Sequence, residues 1–226
     1  MRIDPAHYNF PNPTGFIVLE GVNGAGKTTL QQKIGTFVAE RGIEVVTTRE
    51  PGAPAVGNEI RTILLTPRGE KLAPTTELLL FAADRAEHVA KLIRPAIARG
   101  AAVISDRYYY STIAFQGYGR GLNRATIDTL NTVAIAGTKP DLTILLDLDA
   151  ATGLTRTRGR GAAGEPDALE HEAIDFHNRI RNGFLELADN LPEPFVVLDA
   201  RRSPDEIFQA VVPALERWLY NWKGRA

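Results

Sequence analysis

The sequence predicts an α/β fold: a five-stranded parallel sheet with helices on both faces and a short mobile lid. Three observations point to it. From Gly15 onward, short β-branched runs alternate with longer helical stretches, the pattern of parallel strands joined by crossover helices. The runs are apolar almost throughout, as befits strands covered on both faces. Directly after the first run comes a glycine-rich segment that ends in Gly26-Lys27-Thr28 and leads into a helical stretch.

In chain order, residues 1–14 carry Pro5, Pro11 and Pro13 and read as a frayed N-terminal arm. Residues 15–226 read as a single phosphate-loop domain. The expected strands are Phe16 to Glu20, Glu44 to Thr48, Ala102 to Ser105, Leu142 to Leu148 and Phe195 to Leu198. Thr75 to Arg99 reads as one long helix, with Pro95 bending its last turn and Gly100 ending it. Asp149 can cap the helix after the fourth strand, and Ser203-Pro204-Asp205-Glu206 combines an N-cap, Pro at N1 and Glu at N3. Thr157 to Pro166 contains Gly159, Gly161 and Gly164 beside Arg158 and Arg160. It reads as a flexible charged loop, a lid at about 157–168, although a plain solvated connection has the same composition.

Composition narrows the function classes. A chain of 226 residues suits one core better than two. Lys plus Arg number 26 against 27 Asp plus Glu, a net charge of −1, so there is no surplus to neutralise a nucleic-acid backbone. The absence of cysteine excludes disulfides and Cys nucleophiles and suits a cytoplasmic location. No apolar run approaches the roughly 20 residues that span a bilayer, and the opening residues lack the pattern of a secretory signal. No nucleic-acid or membrane partner is expected. His7, His88, His171 and His177 do not recur at ligand-like spacing.

The chemistry begins at Gly21-Val22-Asn23-Gly24-Ala25-Gly26-Lys27-Thr28-Thr29, a G-x-x-x-x-G-K-T phosphate loop between a strand and a helix. Glycines let successive N–H groups converge on an anion, and the helix N-terminus adds positive potential. Lys27 reaches the terminal phosphates, and Thr28 offers a hydroxyl to Mg²⁺. Arg49 follows the second strand and Asp106-Arg107 the third, so both arginines are expected on the carboxyl rim, where open α/β sheets bind ligands. Two arginines there suggest a second anion site. Phe81 and Arg85 are four apart on the long helix and so on one face, and Thr112 and Gln116 are likewise four apart on the segment after Asp106-Arg107. An aromatic plane beside these polar groups suits a base.

Together these motifs resemble the bacterial thymidylate kinases, from Phe16 to about Trp222. The resemblance is carried by Gly21 to Thr29, Thr48-Arg49-Glu50-Pro51-Gly52, Glu59-Ile60-Arg61, Phe81-Ala82-Ala83-Asp84-Arg85, Asp106-Arg107-Tyr108, Ser111 to Gly117 and Pro140-Asp141-Leu142-Thr143. It implies the fold of the P-loop nucleoside monophosphate kinases, ATP and Mg²⁺ as cofactors, dTMP as acceptor, and a homodimer. By resemblance Phe81 stacks on thymine, Arg85 bonds its O4 edge, Thr112 and Gln116 read its N3 side, and Arg49 and Arg107 hold the dTMP phosphate. Asp106 acts near Mg²⁺, and Arg160 in the lid stabilises the transferred group, since Gly21 to Thr29 contains no arginine.

Three positions depart from the family pattern. Asn23 stands where a carboxylate associated with the acceptor 3′-hydroxyl is usual, Ala53 replaces a glycine, and Ala168 replaces an arginine. A kinase for another deoxynucleotide, or a weakly catalytic nucleotide-binding regulator, fits the same motifs.

Overall fold

A computed structural model describes residues 2–4, 7–158 and 167–223. Its centre is β1 (Phe16–Gly21), whose six residues are all buried. On one side of it lie β3 (Ala102–Asp106) and then β2 (Val45–Arg49); on the other lie β4 (Leu142–Asp147) and β5 (Phe195–Asp199). All four pairings are parallel, and the order β2-β3-β1-β4-β5 places the topological switch beside β1. The five expected strands are present with no end shifted by more than one residue.

Helices cover both faces. α1 (Lys27–Ala39) packs on β1, β2 and β3, and later on the last helix, α9 (Pro204–Lys223), which also touches β5. Against the other face lie α4 (Arg94–Ala98), α5 (Tyr109–Thr112) and α8 (Ile174–Asn190). Outside them, α2 (Ala55–Leu65) and α6 (Arg124–Ile135) both pack on α3 (Pro74–His88). Phe16 to Leu19, Val103, Ile104, Leu142 and Ile144 lose all solvent contact, which is why these runs are apolar without alternation.

The capping expectations are met. The Thr152 N–H donates to Asp149 Oδ1 at 2.8 Å, ahead of α7 (Ala150–Arg158). At α9, Glu206 Oε2 accepts from the Ser203 N–H at 2.9 Å and from its hydroxyl at 2.6 Å, while the Glu206 N–H reaches Ser203 Oγ. This is a reciprocal capping box.

Two expectations are corrected. The single helix Thr75 to Arg99 is interrupted: α3 passes into a wide π-turn at Val89–Ile93 before α4. The Arg94 N–H bonds to Val89 O, five residues back. Pro95 has no N–H for the carbonyl one turn earlier, and the widened turn absorbs that loss upstream of the proline. Nor is the described part of the N-terminal arm frayed. Arg2 bridges Phe195, extending the sheet edge, and the Ile3 N–H donates to Phe195 O at 2.9 Å. Phe10 is buried. Asp141 then ties the arm to the sheet by accepting from the N–H groups of Thr14, Gly15 and Phe16 and from the Trp218 indole.

Candidate active site

At the carboxyl rim, where β1, β2 and β3 end, a cavity of about 520 Å³ opens between the phosphate loop, α3 and the segment after β3. Its shape begins with glycine. Gly24 (φ 77°) and Gly26 (φ 94°) lie in the left-handed region, and a Cβ on Gly24 would collide with the Gly153 carbonyl on α7. The N-terminus of α1 receives no side-chain cap, so its first N–H groups face the rim as an anion site. Lys27 Nζ donates to Gly21 O (3.3 Å) and Val22 O (3.1 Å) and lies 3.9 Å from Asp106. Thr28 Oγ1 donates to Asp106 Oδ2 at 3.3 Å. Asn23, Gly24, Gly26, Lys27, Thr28 and Thr29 line the cavity. Gly21, Val22 and Ala25 are buried and shape the loop from behind.

Sheet register brings the second anion site to the first. Leu19 and Arg49 both pair with Asp106. Arg107 comes next, at φ 76°, a conformation costly for a residue with a Cβ. Its N–H is held by Leu19 O (2.9 Å). Its guanidinium donates to Gly21 O (3.0 Å), Ser111 Oγ (3.1 Å) and Asn23 Oδ1 (2.6 Å). Beneath it, Glu20 is wholly buried and accepts from the N–H groups of Tyr108 and Ser111 and from the Ser111 hydroxyl. Burial pushes its carboxyl up to about 7, against the opposing pull of Arg107.

Phe81, Arg85, Thr112 and Gln116 line the same cavity, as the helical spacings predict. Arg85, 1% exposed, is the most constrained. Its Nε and Nη2 meet Glu50 (2.8 Å each), Nη1 donates to Thr112 Oγ1 (2.7 Å) and Asn131 Oδ1 (3.0 Å), and Nη2 also reaches Tyr108 O (3.2 Å). All five guanidinium N–H groups therefore have internal partners. Behind it runs a buried relay in which Glu50 Oε1 meets His88 Nδ1 at 2.8 Å and His88 Nε2 meets Thr48 Oγ1 at 2.8 Å. His88 is thus structural. Neighbouring Asp84 is raised to about 6 by burial, with Glu50 adding to the shift. Gln116 Nε2 donates to Glu77 Oε1 at 2.9 Å, and Glu77 is also paired with Arg120. A carboxylate can only accept, so the amide orientation is set and the Gln116 carbonyl is left for a ligand.

Other residues of the lining did not stand out in sequence as site residues. Arg61 donates to Pro51 O at 2.8 Å and is held below its ordinary value by burial and then by Arg49; its signal was the Glu59-Ile60-Arg61 motif. Ser111, Phe115, Asp167 and Glu170 also line the cavity. Arg160 lies outside the described residues, as does most of the lid. Arg158 is exposed, and Arg156 donates to Ala200 O at 3.0 Å. Among the described residues no cluster of three or more His, Cys, Asp or Glu could hold a metal. Thr28 Oγ1 and Asp106 instead offer a few hard oxygens, which suit an Mg²⁺ that keeps waters and phosphate oxygens in its shell.

The family profile described as "Thymidylate kinase" matches residues 19–211. The chain belongs to the thymidylate kinase family. Among similar curated proteins, the thymidylate kinase of Desulfosudis oleivorans is 45% identical over 206 residues, covering 89% of this chain and 96% of that protein. That of Carboxydothermus hydrogenoformans is 46% identical over 201 residues, with the same two coverages. The crystal structure of thymidylate kinase from Ehrlichia chaffeensis superposes with a TM-score of 0.73 at 31% identity, covering 90% of this chain and 99% of that one. Of the three departures from the thymidylate kinase pattern, Ala168 is held through its backbone, its N–H donating to Leu65 O at 3.0 Å. Ala53 is partly buried in the bend before α2. Asn23 accepts from Arg107 as described above, and its Nδ2 donates to Glu170 Oε1 at 2.8 Å.

Proposed function

We propose that this protein transfers the γ-phosphoryl group of ATP to dTMP, giving ADP and dTDP. One observation carries the reading: the phosphate loop, a pair of arginines and a base-sized aromatic and polar pocket open into a single cavity. The transfer needs no general base, because a phosphate monoester with a second pKa of about 6 is largely dianionic at neutral pH. The protein's task is to hold two mutually repelling anions in line and to stabilise the equatorial charge. Lys27 and the first N–H groups of α1 take the donor phosphates, Arg49 and Arg107 take the acceptor phosphate, and Arg160 closes on the transferring group. Thr28 and Asp106 would hold Mg²⁺, which, when bound, neutralises charge on the phosphate oxygens.

Hydrogen-bond accounting supports thymine as the base. Thymine presents an acceptor at O4 and a donor at N3. The Thr112 hydroxyl accepts from Arg85 and retains a proton to donate, so Thr112 suits O4, with Arg85, its own N–H groups all engaged, orienting that hydroxyl, while the Gln116 carbonyl suits N3–H. Cytosine reverses both groups. Phe81, partly exposed in the lining, provides the stacking plane. A coupled assay of ADP release with dTMP, dUMP, UMP, dGMP and dCMP tests this: dTMP should exceed dCMP in kcat/KM by about tenfold or more, the scale of mispaired buried polar groups. Equal values would overturn the assignment. ATP as donor fits a cytoplasmic setting, and no helix among the described residues is long and apolar enough to cross a membrane. We also infer a homodimer through α2, α3 and α6, where Val56, Leu79 and Val133 are 50%, 51% and 73% exposed.

A further inference from the structure

Of the side chains proposed to read the base, Gln116 carries a donor at one end and an acceptor at the other, and the fold fixes which end faces the cavity. Gln116 sits on the widened helical turn Ile113–Gly119. It is 1% exposed and lines the cavity. Its backbone carbonyl accepts from the Leu122 N–H at 3.0 Å, and its Nε2 donates to Glu77 Oε1 at 2.9 Å. Glu77, on α3, is buried and is not part of the cavity wall. Arg120 holds this carboxylate with two bonds, from Nε to Oε1 at 3.1 Å and from Nη2 to Oε2 at 2.9 Å. Arg120 is fixed in turn, because its Nη1 donates to Glu172 Oε1 at 2.7 Å and its guanidinium lies 4.6 Å from the centroid of the Phe176 ring.

A turned amide would set the Gln116 carbonyl against the Glu77 carboxylate, two acceptors with no proton between them, at a buried site where such repulsion is weakly screened. The Thr112 hydroxyl has no such constraint. With Arg85 on one of its lone pairs, it can donate to a carbonyl oxygen or rotate and accept from an amino group. The choice between the two kinds of pyrimidine edge therefore falls on position 116. We propose that Glu77, held by Arg120, is a specificity-determining positioning residue: it keeps the Gln116 carbonyl turned toward N3 of the base, so that an edge with a proton at N3 is accepted and one with a bare nitrogen there is refused. Glu77 acts only through the amide and does not meet the substrate.

The proposal rests on thymine as the base, and the test separates the two readings. kcat/KM is measured with wild type and Glu77→Gln for dTMP and for 5-methyl-dCMP, two acceptors that differ only at C4 and N3. Wild type that leaves dTMP unphosphorylated, or shows no preference, overturns the base assignment and this proposal with it. Wild type should favour dTMP by about tenfold or more, the scale of mispaired buried polar groups. Glu77→Gln should bring the ratio to within about threefold, because an amide at that position can accept as well as donate and leaves Gln116 free to turn. Part of the change should be a gain: kcat/KM for 5-methyl-dCMP should rise above its wild-type value, through KM. Damage to the fold alone would lower both substrates together. An unchanged ratio in Glu77→Gln overturns the proposal and leaves the base assignment standing, and so does a loss shared equally by the two acceptors. Should Glu77→Gln fail to fold, the double variant Glu77→Met/Arg120→Met removes both buried charges at once, while Glu172 keeps Lys71 as its partner at 3.0 Å. Its ratio should collapse in the same way, and an unchanged ratio overturns the proposal.

Discussion

Lys27 rests on two carbonyl oxygens of its own loop, partners that an incoming phosphate anion displaces readily because it adds the attraction of opposite charges, which a neutral carbonyl lacks. Lys27→Ala should therefore lower kcat by about 10³-fold or more while Tm moves by only a few degrees. A well-folded variant with near-normal turnover would remove the phosphate-loop assignment. The lid poses the sharper question. Arg156 bonds to Ala200 O, and Arg160 is the arginine we propose for the transferring group. Arg160→Ala should lower kcat by about 10²-fold or more with little change in dTMP affinity, as expected of a contact made in the transition state. Arg158→Ala should be milder. Silence of both, measured in single turnovers, would dismiss lid-arginine catalysis in this protein.

Among the elements, the end of β1 and the start of α5 depend on one buried group. Glu20 ties the Tyr108 and Ser111 N–H groups to the central strand and so holds the backbone that carries Arg107 in its left-handed conformation. Its carboxyl is pushed up to about 7 by burial. The folded chain therefore binds this proton more tightly than the unfolded chain. The stability it contributes is fully present below the ordinary carboxyl range and is lost as pH rises through about 7. Asp84, raised to about 6, acts in the same direction. In Glu20→Gln the fall in Tm between about pH 5 and pH 8 should be smaller than in wild type; an equally steep fall would show that Glu20 does not titrate there. Elements also explain where helical spacing succeeded. Phe81 and Arg85 share the regular turn of α3, and Thr112 and Gln116 remain on one face although the helix widens to a π-turn over Ile113–Gly119.

At the scale of the whole molecule, α2, α3 and α6 present apolar side chains that nothing among the described residues covers, and a second copy of the chain is the proposed partner. Val133→Asp, at a position 73% exposed, should halve the mass in sedimentation without lowering monomer stability; an unchanged mass would place the interface elsewhere. Most of the fold was legible in the sequence because it is specified locally. Apolar runs without alternation give parallel strands, Asp149 and the Ser203 box start helices, and Gly24 and Gly26 adopt angles that other residues resist. The candidate site was legible to the extent that it sits where strands end. Other features were decided by competition among groups distant in sequence. The proline-bearing arm docks because Asp141 gathers three of its neighbours' N–H groups, and the helix through Val89 widens because Pro95 cannot donate. Arg85 turns out to be fully engaged by Glu50, Thr112, Asn131 and Tyr108. The sequence by itself determined which elements form and which chemistry their ends carry, since turns, caps and periodicity are properties of neighbouring residues. Only the tertiary structure decided which polar groups remain available to a substrate and that Asn23 meets Glu170, because a hydrogen bond across 147 residues depends on the packing of everything between them.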